Sequence, residues 1–527
     1  MTRRLLSALF IVLAFMGSCS RKSTTDAAMP TTGEKVVILD NYAEPEYLDP
    51  TLNTDLYSFQ IITQLFEGLT AYDPKSLAVV PGIAESWQAS PDGRFYTFNL
   101  RKDAKWSDGS RLTAHDFDYS WKRLVNPATA SKNAYFGFFF KNGQAIAENK
   151  IKDVQQLGIK IIDEYTLRVE LESPCAFFPS LVALPQFNPV KKEVVEKFHE
   201  QWTRPENIVG NGAFVLAEWT PNKRIVVTPN THYWDRSQVK IDRAIYLPLE
   251  DRETALKMFL NGELHRVFEL PMVKIPSVRS NPDFVEGPQL STYYYDLNTT
   301  KAPLNDKRVR QALTMAIDRD QLVKIINFGI SHDSFVPDGI ASYKPAEGLG
   351  FNPTKAKLLL AEAGYADPKT LPQITLAYDT NENHRLVAQV VQSMWKQNLG
   401  INVQLTNRER KIHLKALRNL DYQVGRNGWI GDYLDPNTFM DIHISGSGNN
   451  HTGWTHPKYD TLINQAASTI DNTKRFQYFQ EAERLLLEEA PIIPLFTWSK
   501  PYLINKRLSG YHFNLLDVHS LKGVELR

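Results

Sequence analysis

Arg426 and Asp432 stand six residues apart in GRNGWIGDYLDP, residues 425–436. Apart from these two, the stretch up to Tyr433 holds only small, amide and apolar residues. A charge taken out of water without an opposite partner is costly. One base and one acid in such a segment therefore need partners, either each other or charges brought by something else.

Reactive chemistry finds little else to build on. No CxxC, HExxH, GxSxG or GxGxxG occurs after the N-terminal segment. His443, His451 and His456 share a region, but their spacing is not a zinc pattern and no cysteine supports them. They read as loop residues. The sequence thus predicts no catalytic residue, no metal and no cofactor. The formal net charge of +1 also argues against nucleic acid, whose binding requires many phosphates to be neutralised.

The N-terminus reads as a targeting segment. MTRRLLSALFIVLAFMGSC has two arginines, an apolar run and small residues before Cys19. The run is shorter than the roughly 20 residues of a spanning helix. Gly17-Ser18-Cys19 resembles a bacterial lipobox, with Met16 at the usual leucine position. Residues 1–19 are read as a lipoprotein signal with Cys19 as the lipidated residue. An ordinary signal peptide is the alternative. Residues 20–34 are small and polar, a flexible tether. With Cys19 lipidated, Cys175 has no partner for an intramolecular disulfide, so core burial must hold the fold.

The elements around the charged stretch are those of an α/β protein. KVVILDN (35–41), FYTFNLR (95–101), YTLRVELES (165–173) and STYYYDLNT (291–299) read as strands. Asp55 caps a helix through SFQIITQLFEGL, and Thr113 with Asp116 opens another in a capping-box pattern. AFVLAEWT and KRIVVTPN form a hairpin about Pro221 and Asn222. QITLAYDT, a long helix over 382–400 and INVQLTN follow as strand, helix, strand at the spacing of a parallel crossover. Helices are also predicted over 252–264, 305–317, 352–364, 457–470 and 473–489, with PIIPLFTW as a late strand.

Five separated segments then carry a resemblance: LFEGLTAYDP (65–74), PGIAESWQASPDGRFYTFNLRKDAKWSDGSRLTAHDFDYSWKRL (81–124), NGAFVLAEWTPNKRIVVTPNTHYWD (211–235), KAPLNDKRVRQALTMAIDRD (301–320) and GRNGWIGDYLDP itself. From about residue 36 onward the chain resembles the oligopeptide-binding proteins of ABC importers, in the oligopeptide- and murein-peptide-binding branch of family 5 extracellular solute-binding proteins. The resemblance implies a bilobed, Venus-flytrap fold of the periplasmic-binding-protein class II type, with an additional domain. Lobe I would comprise 35–66, 191–290 and 500–527, the additional domain 67–190, and lobe III 291–499. The chain should cross between lobes near 291–293 and 497–501.

The resemblance also implies roles. Asp432, after Trp429, matches the family aspartate that pairs a peptide's amino terminus. Arg426 matches the arginine that receives the carboxylate of a short peptide, and His384 and Lys301 match further carboxylate partners. The backbone of Gly428, Trp429 and Ile430 would pair with an extended ligand as a strand is added to a sheet. Tyr119 and Trp429 match cleft aromatics, whereas Trp395 is expected in the core. Each site residue has an ordinary reading as well. Asp432 could be a turn acid, Arg426 could pair with Asp421, His384 could cap the helix after it, and Lys301 could be a solvated loop lysine.

Several positions depart from the family pattern. A disulfide of some relatives is replaced by Ser291 and Ile430. A family cleft glutamate is matched by Thr54 beside Asp55, another glutamate by Asp296, and a pocket histidine by Arg418. The expected function is that of a binding lipoprotein, not an enzyme. Exported and lipid-anchored on the periplasmic or cell-surface side of the membrane, it would, as a monomer, capture short peptides and deliver them to the permease subunits of an ABC importer and its ATPases. A murein peptide, another small ligand or, as a different class, a secreted peptide hydrolase are the alternatives.

Overall fold

The computed structural model describes residues 33–527. The signal segment, Cys19 and the tether up to residue 32 lie outside the described residues.

Three sheets organise the chain. The largest has seven strands, in the spatial order Phe284–Pro288, Ser499–Ile504, Arg266–Val267, Val36–Asp40, Arg243–Leu247, Arg224–Pro229, Phe214–Thr220. A four-stranded antiparallel sheet is built from Ala84–Ala89, Phe95–Leu100, Thr166–Glu170 and Ile159–Asp163. The third has six strands, ordered Ile330–Ser331, Ile492–Thr497, Ser291–Leu297, Val424–Ile430, Ile374–Asp379, Val403–Arg408.

Local signals in the sequence account for many of these elements. The Asp55 carboxylate accepts from Ser58 N at 2.7 Å and starts the helix Leu56–Leu65. The amide of Thr113 donates to Asp116 Oδ2 at 2.7 Å at the head of Ala114–Val125. The hairpin between Phe214–Thr220 and Arg224–Pro229 turns at Asn222, whose φ of 57° suits an asparagine. Ile374–Asp379 and Val403–Arg408 pair in parallel across the helix Glu382–Leu399, whose Val387, Val391, Trp395 and Leu399 are buried. Trp395 is core, its indole N–H donating to Leu313 O at 2.8 Å.

Every residue of Ser291–Leu297 is buried, as a central strand covered on both faces requires. Its alternation divides the tyrosines: Tyr293 and Tyr295 enter one core, Tyr294 the other. One core packs the 382–399 helix. The other packs the helices Pro457–Ala467 and Asn472–Glu489.

The chain passes between the seven- and six-stranded sheets twice. One passage is Gln289 and Leu290, between Phe284–Pro288 and Ser291–Leu297; the other is Trp498, between Ile492–Thr497 and Ser499–Ile504. These lie slightly before 291–293 and within 497–501.

Candidate binding cleft

The strand Val424–Ile430 carries most of the site. On one side it pairs antiparallel with Ser291–Leu297 over its whole length, from Val424 opposite Leu297 to Ile430 opposite Ser291. On the other it pairs in parallel with Ile374–Asp379 only at Val424 and Gly425. From Arg426 onward the ladder on that side ends, leaving a strand edge that an extended chain could join. Arg426, Gly428 and Ile430 share one face; Asn427 and Trp429 share the other. A Cβ on Gly428 would stand 3.4 Å from Arg426 Nη2, in ordinary contact with the guanidinium. Ile430 is 68% exposed on this face.

Arg426 lies at one end. Its guanidinium sits 4.7 Å over the Tyr293 ring, and its carbonyl accepts from His413 Nε2 at 2.7 Å. The acid beside it is Asp379, not Asp421: Nη1 is 3.4 Å from Asp379 Oδ1. Arg410 Nη1 reaches the other oxygen of Asp379 at 3.1 Å. Burial raises the Asp379 pKa, but the Arg426 guanidinium, His384, a backbone N–H and His413 together outweigh it and hold the group below the usual carboxylate range. Asp379 was absent from the sequence reading. Its signal was position: it closes the strand QITLAYD beside the free edge.

His384 joins this end. Nδ1 is 3.3 Å from the Tyr293 hydroxyl, and Nε2 is 3.7 Å from Asp379 Oδ1. Burial, then the Arg426 charge, lowers its pKa to about 4, so the ring is neutral at pH 7. The helix behind it is capped by Asn381, whose Oδ1 accepts from the amides of Asn383 and His384; the His384 side chain is not the cap. Lys301 is half-exposed and 3.9 Å from Asp421. Arg418 is exposed at the end of the helix Arg410–Arg418, and its charge acts on His451. His451 in turn is 3.3 Å from Asn427, on the strand's other face. His443 is buried, with neither ring nitrogen bonded, and so differs from a solvated loop residue.

Asp432 lies at the other end. Gly431 N donates to Leu290 O at 2.8 Å and extends the strand by one residue. Thr438 Oγ1 then accepts from Asp432 N at 3.1 Å and from Trp429 Nε1 at 3.4 Å. The following residue, Tyr433, stacks on Phe177 with centroids 4.7 Å apart, which ties the turn to the segment next to the four-stranded sheet. The Asp432 carboxylate is exposed to solvent but meets no hydrogen-bond donor or cation among the described residues. Its pKa is raised, by desolvation alone. It opens on a cavity of about 470 Å³, walled by Tyr135, Phe138, Phe177, Trp429, Tyr433 and Asp441, among others. Burial, then the charge of Asp432, pushes Asp441 up to about 7. This end is anionic, and among the described residues no Lys or Arg lines the cavity.

Tyr119 does not line the Asp432 cavity. It lines a separate polar depression with His115, Lys122, Arg123 and Glu196. Ser291 and Ile430 are direct cross-strand partners, with Ser291 buried and its hydroxyl unbonded. Asp296 is buried and accepts from Asn427 Nδ2 at 2.7 Å. Among the described residues no group of three or more His, Cys, Asp and Glu side chains could hold a metal ion. None of the described helices is long and apolar enough to cross a membrane.

Comparison with known proteins places this geometry. Residues 78–451 match the family described as bacterial extracellular solute-binding proteins, family 5 Middle. The chain is 39% identical over 489 residues to the periplasmic murein peptide-binding protein MppA of Escherichia coli strain K12, covering 89% of each chain. It is 36% identical over 524 residues to the periplasmic oligopeptide-binding protein OppA of Salmonella typhimurium, covering 97% of this chain and 95% of that one. The unliganded open form of an MppA murein tripeptide-binding protein superposes with a TM-score of 0.89 at 36% identity, over 94% of this chain and 98% of that one. A second structure, of the Escherichia coli murein tripeptide-binding protein MppA, gives 0.69 at the same 36% identity, over 94% and 99%. Identity and coverage barely differ, so the gap lies in how the parts are arranged, and the present arrangement resembles the open form. Family 5 proteins bind solutes and are not enzymes, and the bilobed α/β architecture is theirs. The chain belongs to family 5 of the bacterial extracellular solute-binding proteins.

Proposed function

We propose that the chain is the substrate-binding lipoprotein of an ABC importer, capturing short peptides with both termini free. One observation carries the reading. A free strand edge runs between an unpartnered acid, Asp432, and a cationic group around Arg426. A peptide offers an ammonium at one end, a carboxylate at the other and backbone amides between them. Six residues of extended chain span about 20 Å at ~3.3 Å each, so the cleft suits peptides of a few residues. Asp432 takes the ammonium and Arg426 the carboxylate. Lys301, Arg418 and, as a neutral ring, His384 stand by for peptides of other lengths. Amide pairing along 428–430 gives affinity without sequence choice, and Trp429 walls the first side chain.

Lobe I, from 35–66, 191–290 and 500–527, closes with the 67–190 domain against lobe III, 291–499. The protein is exported and anchored as a monomer through lipid on Cys19. The loaded form is handed to a permease and its ATPases. The test is native mass spectrometry of freshly purified protein, followed by calorimetry with whatever is released. Co-purified short peptides that rebind support the reading; an occupant with no peptide bond, and no rebinding by peptides, overturns it.

A murein peptide as the physiological ligand is the second reading. The 39% identity to a murein peptide-binding protein favours it. Calorimetry with a murein tripeptide against trialanine separates the two.

A further inference from the structure

We propose that Asp379 decides which C-terminal chemistry the cleft accepts, admitting a ligand end with one carboxylate and disfavouring an end with two. The inference rests on Arg426 as the carboxylate-binding cation. Asp379 closes the strand Ile374–Asp379, where the parallel ladder leaves Val424–Ile430, and its side chain is only 5% exposed. Its two oxygens are shared between Arg426 at 3.4 Å and Arg410 at 3.1 Å. It therefore occupies the position at Arg426 that an incoming carboxylate would take, or must stand beside it.

The balance of charge gives this position its consequence. Two guanidiniums face one carboxylate, which leaves one positive charge; a third, Arg408, is opposite Asp379 in the ladder but donates to the Asp421 carbonyl at 3.0 Å. The nearby imidazoles add none at pH 7, since burial lowers the pKa of both His384 and His413. Lys301 is directed to Asp421. A single ligand carboxylate completes the balance. A second would leave excess negative charge beside a buried aspartate, where like charges repel strongly. The Arg426 fork has donors to spare, because Asp379 engages only Nη1. A ligand can thus bind without expelling Asp379.

A residue that only held Arg426 in place would behave in the opposite way. Its removal would loosen the guanidinium and weaken acid binding. Calorimetry on full-length protein separates the two roles, using trialanine, trialanine amide and alanyl-alanyl-aspartate against wild type and Asp379→Asn. Wild type should prefer trialanine to alanyl-alanyl-aspartate by roughly tenfold or more. In the variant, affinity should rise most for the dicarboxylate, less for trialanine and little for the amide. An equal or tighter fit of the dicarboxylate to wild type, which needs no variant to fold, overturns the inference. So does a uniform change, or a loss for the acids, in Asp379→Asn. If none of the three peptides binds either protein, the peptide reading itself fails and takes this inference with it. Binding without the graded gain removes this inference alone.

Discussion

Gln289 N donates to the carbonyl of Trp498 at 2.8 Å, so the two passages between the large sheets are bonded to each other. The two passages thus form one narrow strip. Ser291–Leu297 and Ile492–Thr497 continue from the strip as neighbours in the six-stranded sheet. Phe284–Pro288 and Ser499–Ile504 continue as neighbours in the other. Rotation about such a strip changes few backbone angles while moving two rigid bodies.

Closure should follow from this arrangement. The present shape resembles an unliganded open form, and a ligand shifts it only through contacts better made when closed. Saturating peptide should shrink the radius of gyration in solution scattering. It should also raise the melting temperature with the logarithm of ligand concentration, as binding to the native state requires. A verified peptide that stabilises the protein without compacting it would leave binding intact and remove the closure.

Asp432 should account for recognition of the amine. Its carboxylate has no partner to lose among the described residues, so Asp432→Asn should leave the fold unchanged. The variant should bind a tripeptide more weakly by about 2–5 kcal/mol, the range for truncating a buried charge pair. N-acetylation of the peptide should cost wild type a similar amount and the variant little. Equal binding of free and acetylated peptide by wild type would end the amine role.

Much of this site could be read from sequence because it rests on local signals. Strand alternation around YYY and the caps at Asp55 and Thr113 act over a few residues, the 374–408 crossover over one strand–helix–strand unit, and all are present. Asp379 was missed because its importance depends on register. Only the divergence of two parallel strands after Ala377 and Gly425 places it beside Arg426, 47 residues away in sequence. Tyr119 shows the converse. An aromatic on a well-formed amphipathic helix was legible, but that it would line a depression other than the one at Asp432 was not.

Asp296 should make stability fall as the solution becomes more alkaline. It is fully buried, one oxygen accepts from Asn427 and the other has no partner. Burial pushes its pKa from 3.8 up to about 7. Between those values the folded protein keeps a proton that the unfolded chain has released. The folded state is therefore favoured less as pH rises through that window, by up to about 4 kcal/mol once above it. Asp296→Asn should stabilise the protein more at pH 8 than at pH 4.5, as measured by urea denaturation. A variant equally destabilised at both values would show that Asp296 is held ionised.

The anchor is tested by the chain's own processing. Lipid on Cys19 should send the mature protein to the membrane fraction, and Cys19→Ser should release it or stall its processing. A single acyl chain anchors only marginally, so stable partitioning requires more than one. Mass spectrometry of the N-terminal peptide reads the modification directly. An unmodified mature N-terminus at another residue in the wild type would overturn the anchor.

The Asp435–Arg475 pair should hold the Asp432 turn in place. Arg475 reaches both oxygens of Asp435, through Nη1 at 2.8 Å and through Nη2, and both side chains are buried. Its guanidinium also lies 5.4 Å over Phe177, the ring on which Tyr433 stacks. The pair thus joins the helix Asn472–Glu489 to the turn and to the segment beside the four-stranded sheet. Removing one partner strands a buried charge, so Asp435→Ala should destabilise by about 3–5 kcal/mol. Replacing Arg475 and Asp435 together with methionine and leucine should cost much less, because no charge is left unmet. The double variant should still lose peptide affinity, since the turn that positions Asp432 loses its bidentate clamp. Double variants with wild-type affinity would show that the clamp serves stability alone.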